Sequence, residues 1–501
     1  MSGFKDEVVY PTGADPELIN DDIAPLKEQK WGSYNIFAFW MSDVHSVGGY
    51  TTAGALFAMG LTSWQVLLAL LVGIFIVYFA CNLVSLPSQR SGTPFAVVCR
   101  AAFGIQGAKI PAMIRGLIAV AWYGIQTYLA SHALVVLIVK LQSDWAEWAD
   151  KDTHGFLGLS LLGYIAFAIL WVVQALVFWR GMEAIRRFID FCGPAVYIVM
   201  AALAIYLVSE AGWSNVDLNL SDHQLTGFAV FSTFCAAVAT TVSYFSGPML
   251  NFGDISRYGK SQKSVKVGNL LGLPLNFLVF SIMVVLTASA TVPVYGRLIT
   301  DPVETIAELD STVAVAFGAL TLLIATVGIN IVANFIAPAF DFSTVAPKMI
   351  SWRMGGMIAA VGSIFLTPWN LYNSPDTIHY TLDTLAAFIG PVFGVLIAYF
   401  YVINRGDLNI PALFDSSPSG AYHYTRGFNV NSVIAVGIAA VVGIVIVMTP
   451  AFSGAATYTW FIGAFLAGLL VILLENIRPS VIMRDAAKAA ESAEDRVRIL
   501  D

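Results

Sequence analysis

Charge is what this sequence has least of. Asp, Glu, Lys and Arg together make up 12% of the 501 residues while 57% are hydrophobic, and mean hydropathy is +0.74. A soluble chain of this length, about three domains at roughly 150 residues each, cannot bury so much apolar surface, whereas helices solvated by hydrocarbon require it. Cysteine is also scarce: Cys81, Cys99, Cys192 and Cys235 stand far apart beside apolar segments. They form no CxxC or Cys/His metal pattern, so they read as small buried hydrophobes and no metal site is expected. There is no basic stripe, and the net charge of -7 sits mainly in tails and loops, which argues against a nucleic-acid partner. The polar, acidic N-terminus has no short apolar h-region, so no cleaved signal is expected and this end stays in the cytoplasm. Missing as well are an HExxH, a clustered His set and a GxSxG nucleophile at membrane depth, which disfavours an embedded enzyme. No Walker motif points to an ATP-driven pump, and no repeated ring or filter motif points to a channel.

What the sequence has in abundance is apolar runs of about 20 residues, the length that spans ~30 Å of hydrocarbon at 1.5 Å per residue. They fall near 33–60, 64–86, 112–141, 157–178, 185–209, 226–251, 267–291, 312–340, 355–374, 381–402, 430–449 and 455–475. Twelve crossings put both ends on one side. All but three of the 26 Lys and Arg (Lys140, Lys151 and Arg297) lie on that side, so the positive-inside rule makes both tails cytoplasmic and the cell membrane the expected location. The expected layout is a tail over 1–32, a transporter domain over 33–475 and a second tail over 476–501. The loops 88–109 and 292–310 are long enough to hold short helices.

Function is sought in the breakers and polar groups inside the spans. The first span carries Ser42-Asp43-Val44-His45-Ser46-Val47-Gly48-Gly49, two ionisable groups beside a Gly pair; the sixth carries Tyr244-Phe245-Ser246-Gly247-Pro248. Gly and Pro loosen a helix and free backbone groups that lipid cannot satisfy. Breaks five spans apart suit inverted repeats, over about 33–209 and 226–402, each opened by a discontinuous helix, with two extra helices over about 430–475. Close helix packing is the plainer alternative. In the third span Trp122 and Gln126 stand four apart on one face, a stacking surface beside an amide suited to a flat ring with an amide edge. The eighth span adds Asn330, Asn334 and Asp341, costly in lipid without a wet or polar partner. Asp43, His45 and Asp341 are the candidates for a titrating group that couples transport to protons.

The stretch Trp40-Met41-Ser42, the loop Phe103-Gly104-Ile105-Gln106-Gly107, the Trp122 to Gln126 motif, Asn334 and the pair Pro368-Trp369 together resemble the nucleobase:cation symporter family of hydantoin, allantoin, uracil and cytosine permeases. The resemblance spans nearly the whole chain. It implies an all-α leucine-transporter fold, ten helices in a five-plus-five inverted repeat with two added, and a secondary transporter with no cofactor and no obligatory protein partner. Its partners would be a small heterocyclic substrate, a coupling cation and the bilayer. By that resemblance Trp122 stacks on the ligand, Gln126 and Asn334 bond its edge, and Ser46 and Phe245 face the same pocket. Hydantoin carriers have Trp where Phe245 stands, which leaves uracil-like and other small rings open, a vitamin-like aromatic amine among them. Sodium-coupled relatives use a Ser-Thr pair where this chain has Gly328 and Ile329. Backbone carbonyls at Ser42, His45 and Ala325 remain for sodium, and protons become the favoured coupling ion.

Overall fold

The computed structural model describes residues 8–45, 47–57, 59–221, 224–371 and 375–480. Among them, ten helices are long and apolar enough to cross a membrane: α3 (Ser63–Ser91), α5 (Lys109–Leu141), α6 (Leu161–Trp179), α7 (Met182–Ala211), α8 (Phe228–Leu250), α9 (Gln262–Tyr295), α10 (Thr312–Val345), α12 (whose apolar part is Tyr380–Ile403), α13 (Val430–Met448) and α14 (Thr459–Ile477). Two further crossings are interrupted. The first is split into α1 (Ser33–Val44) and α2 (Val47–Phe57), and α11 (Trp352–Phe365) is followed by the short turn Pro368–Leu371. Both long loops hold a short helix, α4 (Phe95–Phe103) and Pro302–Ala307.

Local chemistry explains where these helices start and stop. Ser160, Ser311 and Ser351 cap α6, α10 and α11 by accepting a backbone N–H three residues on, which satisfies one of the orphan donors of a first turn. Gly92 ends α3 at φ +67°, and a Cβ there would lie 2.8 Å from the Leu26 nitrogen, so only glycine lets the N-terminal segment pass so close. The added helices lie on α12 through small residues: a Cβ on Gly394 would come within 2.0 Å of the Ala464 carbonyl, the close backbone approach by which helices pack in lipid.

The N-terminal segment is more than a solvated tail. Leu18, Ile19, Ile23, Ala24 and Trp31 are buried, and the segment bonds to several loops and helix ends around it. Asn20 donates to Ser343 Oγ (2.9 Å) and the Pro347 carbonyl (3.0 Å); the backbone N–H of Trp352 donates to the Asp22 carboxylate (2.8 Å). Arg257 donates to the carbonyls of Asp22, Ala24 and Gly92. Asp15 takes up Phe414 and Ser416. These loops therefore share one face of the bundle, the face that carries most of the basic residues.

Candidate substrate and coupling site

The centre of the bundle is where α1 stops. His45 leaves the helix at φ −84°, ψ 78°, and α2 resumes at Val47. Ser46, expected to face a pocket, lies outside the described residues. Ser42, Asp43 and His45 are buried. The His45 ring is held by Tyr50 Oη at its Nδ1 (2.8 Å) and by the Tyr197 and Phe280 rings at 4.0 and 5.3 Å. Asp43 Oδ1 and His45 Nε2 are buried with no hydrogen-bond partner among the described residues.

The sixth crossing differs from the expected second break. α8 continues through Gly247 and Pro248 to Leu250, and the chain turns only at Asn251–Phe252 before Gly253–Ser256. The reason is Arg115, buried on α5, whose Nε donates to the Gly247 carbonyl (3.2 Å) and to Asn251 Oδ1 (2.9 Å) and whose Nη2 donates to the Ala333 carbonyl of α10 (2.9 Å). A guanidinium thus satisfies backbone that lipid would leave bare. Asp254, bonded by Phe95 N and Asn251 Nδ2, together with Asp341 and Asp43, acts electrostatically on this cation. Both Asp341 oxygens are buried without a hydrogen-bond partner among the described residues.

Beside the α1 break, the shared face of Trp122 and Gln126 meets Tyr244, whose ring stands edge-on to Trp122 (centroids 5.9 Å, 81°). Gly48 fits beneath them: a Cβ there would lie 3.4 Å from both Gln126 Nε2 and Tyr244 Oη. Gln126 Oε1 is buried with no partner among the described residues. Phe245 points differently, packing edge-on against Phe277 (5.4 Å) in an aromatic file that runs through Phe280 to Tyr50. Tyr244 is thus a ring neighbour of Trp122, and Phe245 lines with it a small cavity beside Val44 and Gly49. Asn334 lies in a stretch where α10 widens into a π-helical turn, Asn330–Phe335, the kind of local expansion that re-aims side chains at functional sites.

Around the α1 break α10 contributes little oxygen. Gly328 faces the Phe188 ring and Ser42, with a virtual Cβ 3.8 and 3.9 Å from them, and the Ser42 hydroxyl donates to the Ile189 carbonyl (3.4 Å). Ala325 is buried, and the hydroxyl of the adjoining Thr326 has no partner among the described residues. Asn330 finds the polar partner its place in the span calls for in Gln174, which, like Arg115, no sequence pattern marks. Arg115 sits near the basic end of its span and reads as flanking charge, and Gln174 is one amide in an apolar run.

A first crossing split beside an indole and an amide, and a sixth crossing braced by an internal cation, define a polytopic helical membrane protein. The comparisons give the family. The chain belongs to the permeases for cytosine/purines, uracil, thiamine and allantoin, whose family model matches residues 23–463. It is 31% identical over 481 residues to the allantoin permease of Bacillus subtilis (strain 168), covering 96% of this chain and 97% of that one. It is also 31% identical over 424 residues to the purine-uracil permease of Arabidopsis thaliana, covering 84% and 70%. In fold it is similar to a nucleobase-cation-symport-1 family transporter solved in a closed conformation with bromovinylhydantoin bound, at a TM-score of 0.74 and 22% identity over 94% and 96% of the two chains. The architecture is thus the leucine-transporter type expected from sequence, and the chain is a permease and not an enzyme.

Proposed function

We propose that this protein is a symporter that imports a small planar nitrogen heterocycle of the uracil, allantoin, hydantoin or cytosine type across the cell membrane, with both termini cytoplasmic and the proton as coupling ion. The observation that supports the substrate class is the Trp122 ring and the unpartnered Gln126 Oε1 beside Gly48 of the broken first helix, with the Asn334 amide on the widened turn of α10 joining them in this reading. A ring face contributes about 1 kcal/mol beyond its buried area, and an unpaired buried acceptor seeks a ring N–H. In this reading Trp122 stacks, Gln126 and Asn334 bond the ring edge, and Tyr244 closes the pocket over Gly48 beside them. Phe245 backs Tyr244 from behind, and Ser46 remains a pocket position on the resemblance alone. The residues over 33–209 and 226–402 form the two repeats, with 430–475 added.

Proton coupling is supported by the Phe188 ring and Gly328 at the place where an oxygen-rich cation cage is needed, together with Asp43 Oδ1, buried without a partner among the described residues. A carboxylate in that setting is costly when charged, so loading a proton biases the conformational balance. His45 and Asp341 are the further titrating candidates. A sodium-driven carrier is the second reading, favoured by the unpartnered Thr326 hydroxyl beside Ala325 and the carbonyls of Ser42 and His45.

The test is uptake by proteoliposomes of labelled uracil, allantoin, hydantoin, cytosine and a pyridine-ring vitamin under imposed pH or sodium gradients. Saturable uptake of one ring, weakened severalfold or more by Trp122→Ala, Gln126→Leu and Asn334→Leu, is the expected result. No accumulation of any ring sinks the substrate class; uptake that needs inward sodium and ignores pH replaces the ion.

A further inference from the structure

The pocket's hydrogen-bonding polarity is set from behind, by residues that sit deeper than the ones expected to touch a ligand. Gln174, fully buried on α6, donates through Nε2 to the Leu170 carbonyl (3.2 Å) and to Thr127 Oγ1 (3.2 Å). A backbone carbonyl can only accept, so the Gln174 amide has one orientation and its Oε1 faces Asn330. Asn330 Nδ2 donates to that Oε1 (2.6 Å), to Thr127 Oγ1 (3.0 Å) and to the Tyr123 carbonyl (3.0 Å). Thr127 cannot turn its proton on Asn330, because its hydroxyl donates to the same Tyr123 carbonyl (2.7 Å). All three neighbours are acceptors, so the Asn330 amino group is fixed among them and its Oδ1 points the other way. Asn334 Nδ2 donates to that Oδ1 (3.1 Å). The consequence passes one residue further: with one amino N–H held by Asn330, Asn334 turns its carbonyl oxygen away from Asn330.

We propose that Gln174 is a positioning residue which, through Asn330, fixes the orientation of the Asn334 amide with its oxygen turned away from Asn330, so that the pocket favours rings offering an N–H to that oxygen. The inference rests on the heterocycle reading above and adds the polarity of the recognised edge. Gln126 Oε1, buried without a partner among the described residues, adds a second acceptor. The favoured substrate class is therefore a lactam or cyclic ureide with two ring N–H groups. The relay works because each amide has a donor end and an acceptor end and no freedom to exchange them without leaving a buried group unpaired. Backbone carbonyls of Leu170 and Tyr123 anchor its far end, and the widened turn of α10 brings Asn330 and Asn334 into line at its near end.

The experiment compares uracil and hydantoin with their oxa analogues, in which one ring N–H is replaced by an ether oxygen of similar size. Binding is read as ligand-induced thermal stabilisation of the full chain in detergent, and transport as competition for uptake in proteoliposomes. The native protein is expected to favour the N–H ring over the matching oxa ring by about tenfold or more, the discrimination expected when a buried acceptor is left facing a lone pair. Gln174→Met, close in volume, is expected to shrink that ratio by about tenfold, raising KM for the N–H ring with Vmax within about twofold. Gln174→Glu, which in its protonated form keeps both a donor and an acceptor, retains the ratio. Should Gln174→Met fail to fold, Thr127→Val, which removes the acceptor shared by Gln174 and Asn330, shifts the ratio in the same direction. A native protein that binds the rings but does not distinguish them from the oxa analogues overturns the polarity. An unchanged ratio in folded Gln174→Met overturns the relay while the heterocycle reading stands. Binding of none of the rings by the native protein removes both.

Discussion

The first and sixth crossings occupy matching places in the two repeats and solve one problem in opposite ways. Both carry helix breakers at the centre of the bundle, and both free backbone groups that hydrocarbon cannot satisfy. At the sixth, Arg115 takes the Gly247 carbonyl and ties it to Asn251 and to the Ala333 carbonyl of α10, so the helix bends on to Leu250, although Ser243 Oγ and Arg115 Nη1 themselves have no partner among the described residues. At the first, the helix stops outright, and Asp43 Oδ1 and His45 Nε2 are left without partners among the described residues. A break braced by a fixed cation is scaffold; a break with bare polar atoms is where a proton or ligand has something to gain by binding. In the proposed reading, mobile chemistry belongs to α1 and rigidity to α8.

Removing the brace is the harshest way to break this comparison. Arg115→Leu strands the Ala333 carbonyl and Asn251 Oδ1 and leaves Asp341 and Asp254 without the buried Arg115 charge, a loss on the order of 3–5 kcal/mol. The variant is expected to unfold at a markedly lower temperature in detergent and to transport nothing. Arg115→Lys keeps the charge but cannot reach three acceptors in a plane, and should fall between. If Arg115→Leu matched the native thermal midpoint, α8 would hold its bend by packing alone and the contrast with α1 would disappear.

Asp43→Asn tests the other side. The amide is isosteric and neutral, so the fold is expected to survive, while proton-driven accumulation is lost and exchange of labelled for unlabelled substrate across proteoliposomes continues. Uphill uptake that kept its pH dependence in this variant would move the titrating role to Asp341, both of whose oxygens are buried and unpartnered among the described residues.

Much of this was legible in the sequence, and the exceptions share a cause. Span positions came from apolar length, the Trp122 and Gln126 pair from a spacing of four, and the break near His45 from Gly48 and Gly49, because each is a local pattern. The same local logic put a second break at Gly247-Pro248, where the chain is instead braced by a residue 132 positions away. Arg115, Tyr244 beside Trp122, and the chain from Gln174 to Asn334 depend on which helices face each other, which no local pattern carries. The N-terminal segment was read as a plain tail because its acidic residues mask Leu18, Ile19 and Ile23, which find their apolar partners only across the folded face.

A milder change asks how tightly the α1 side is tuned. Tyr50→Phe deletes the one hydrogen bond to His45 Nδ1 and keeps the ring against Phe280 (4.7 Å). It is expected to cost about 1 kcal/mol of stability, with substrate affinity nearly intact. A large loss of binding instead would show that the imidazole orientation, and not only its packing, shapes the pocket.

The smallest expected effect lies in the N-terminal segment, where Arg257 repeats the device of Arg115 by gripping the carbonyls of Asp22, Ala24 and Gly92. Since those bonds go to backbone, the segment should stay docked whatever happens to the Asp22 side chain. Burial pushes the Asp22 carboxyl above its ordinary 3.8, against the opposing pull of the Trp352 N–H, with Asp21 adding to the rise and Arg257 and Arg353 opposing it. A carboxyl raised on docking binds more protons docked than free. Its contribution is therefore complete below the ordinary value of 3.8 and is lost as pH climbs through the raised one. At neutral pH the charged, desolvated group weakens the docking it helps to form. Asp22→Asn keeps an acceptor for Trp352 and cannot ionise, so amide hydrogen exchange over residues 18–24 should be slightly slower than in the native chain at neutral pH and should lose the component that changes with acidification. If native chain and variant showed the same pH dependence there, the docking would owe nothing to Asp22 and the grip of Arg257 would account for it alone.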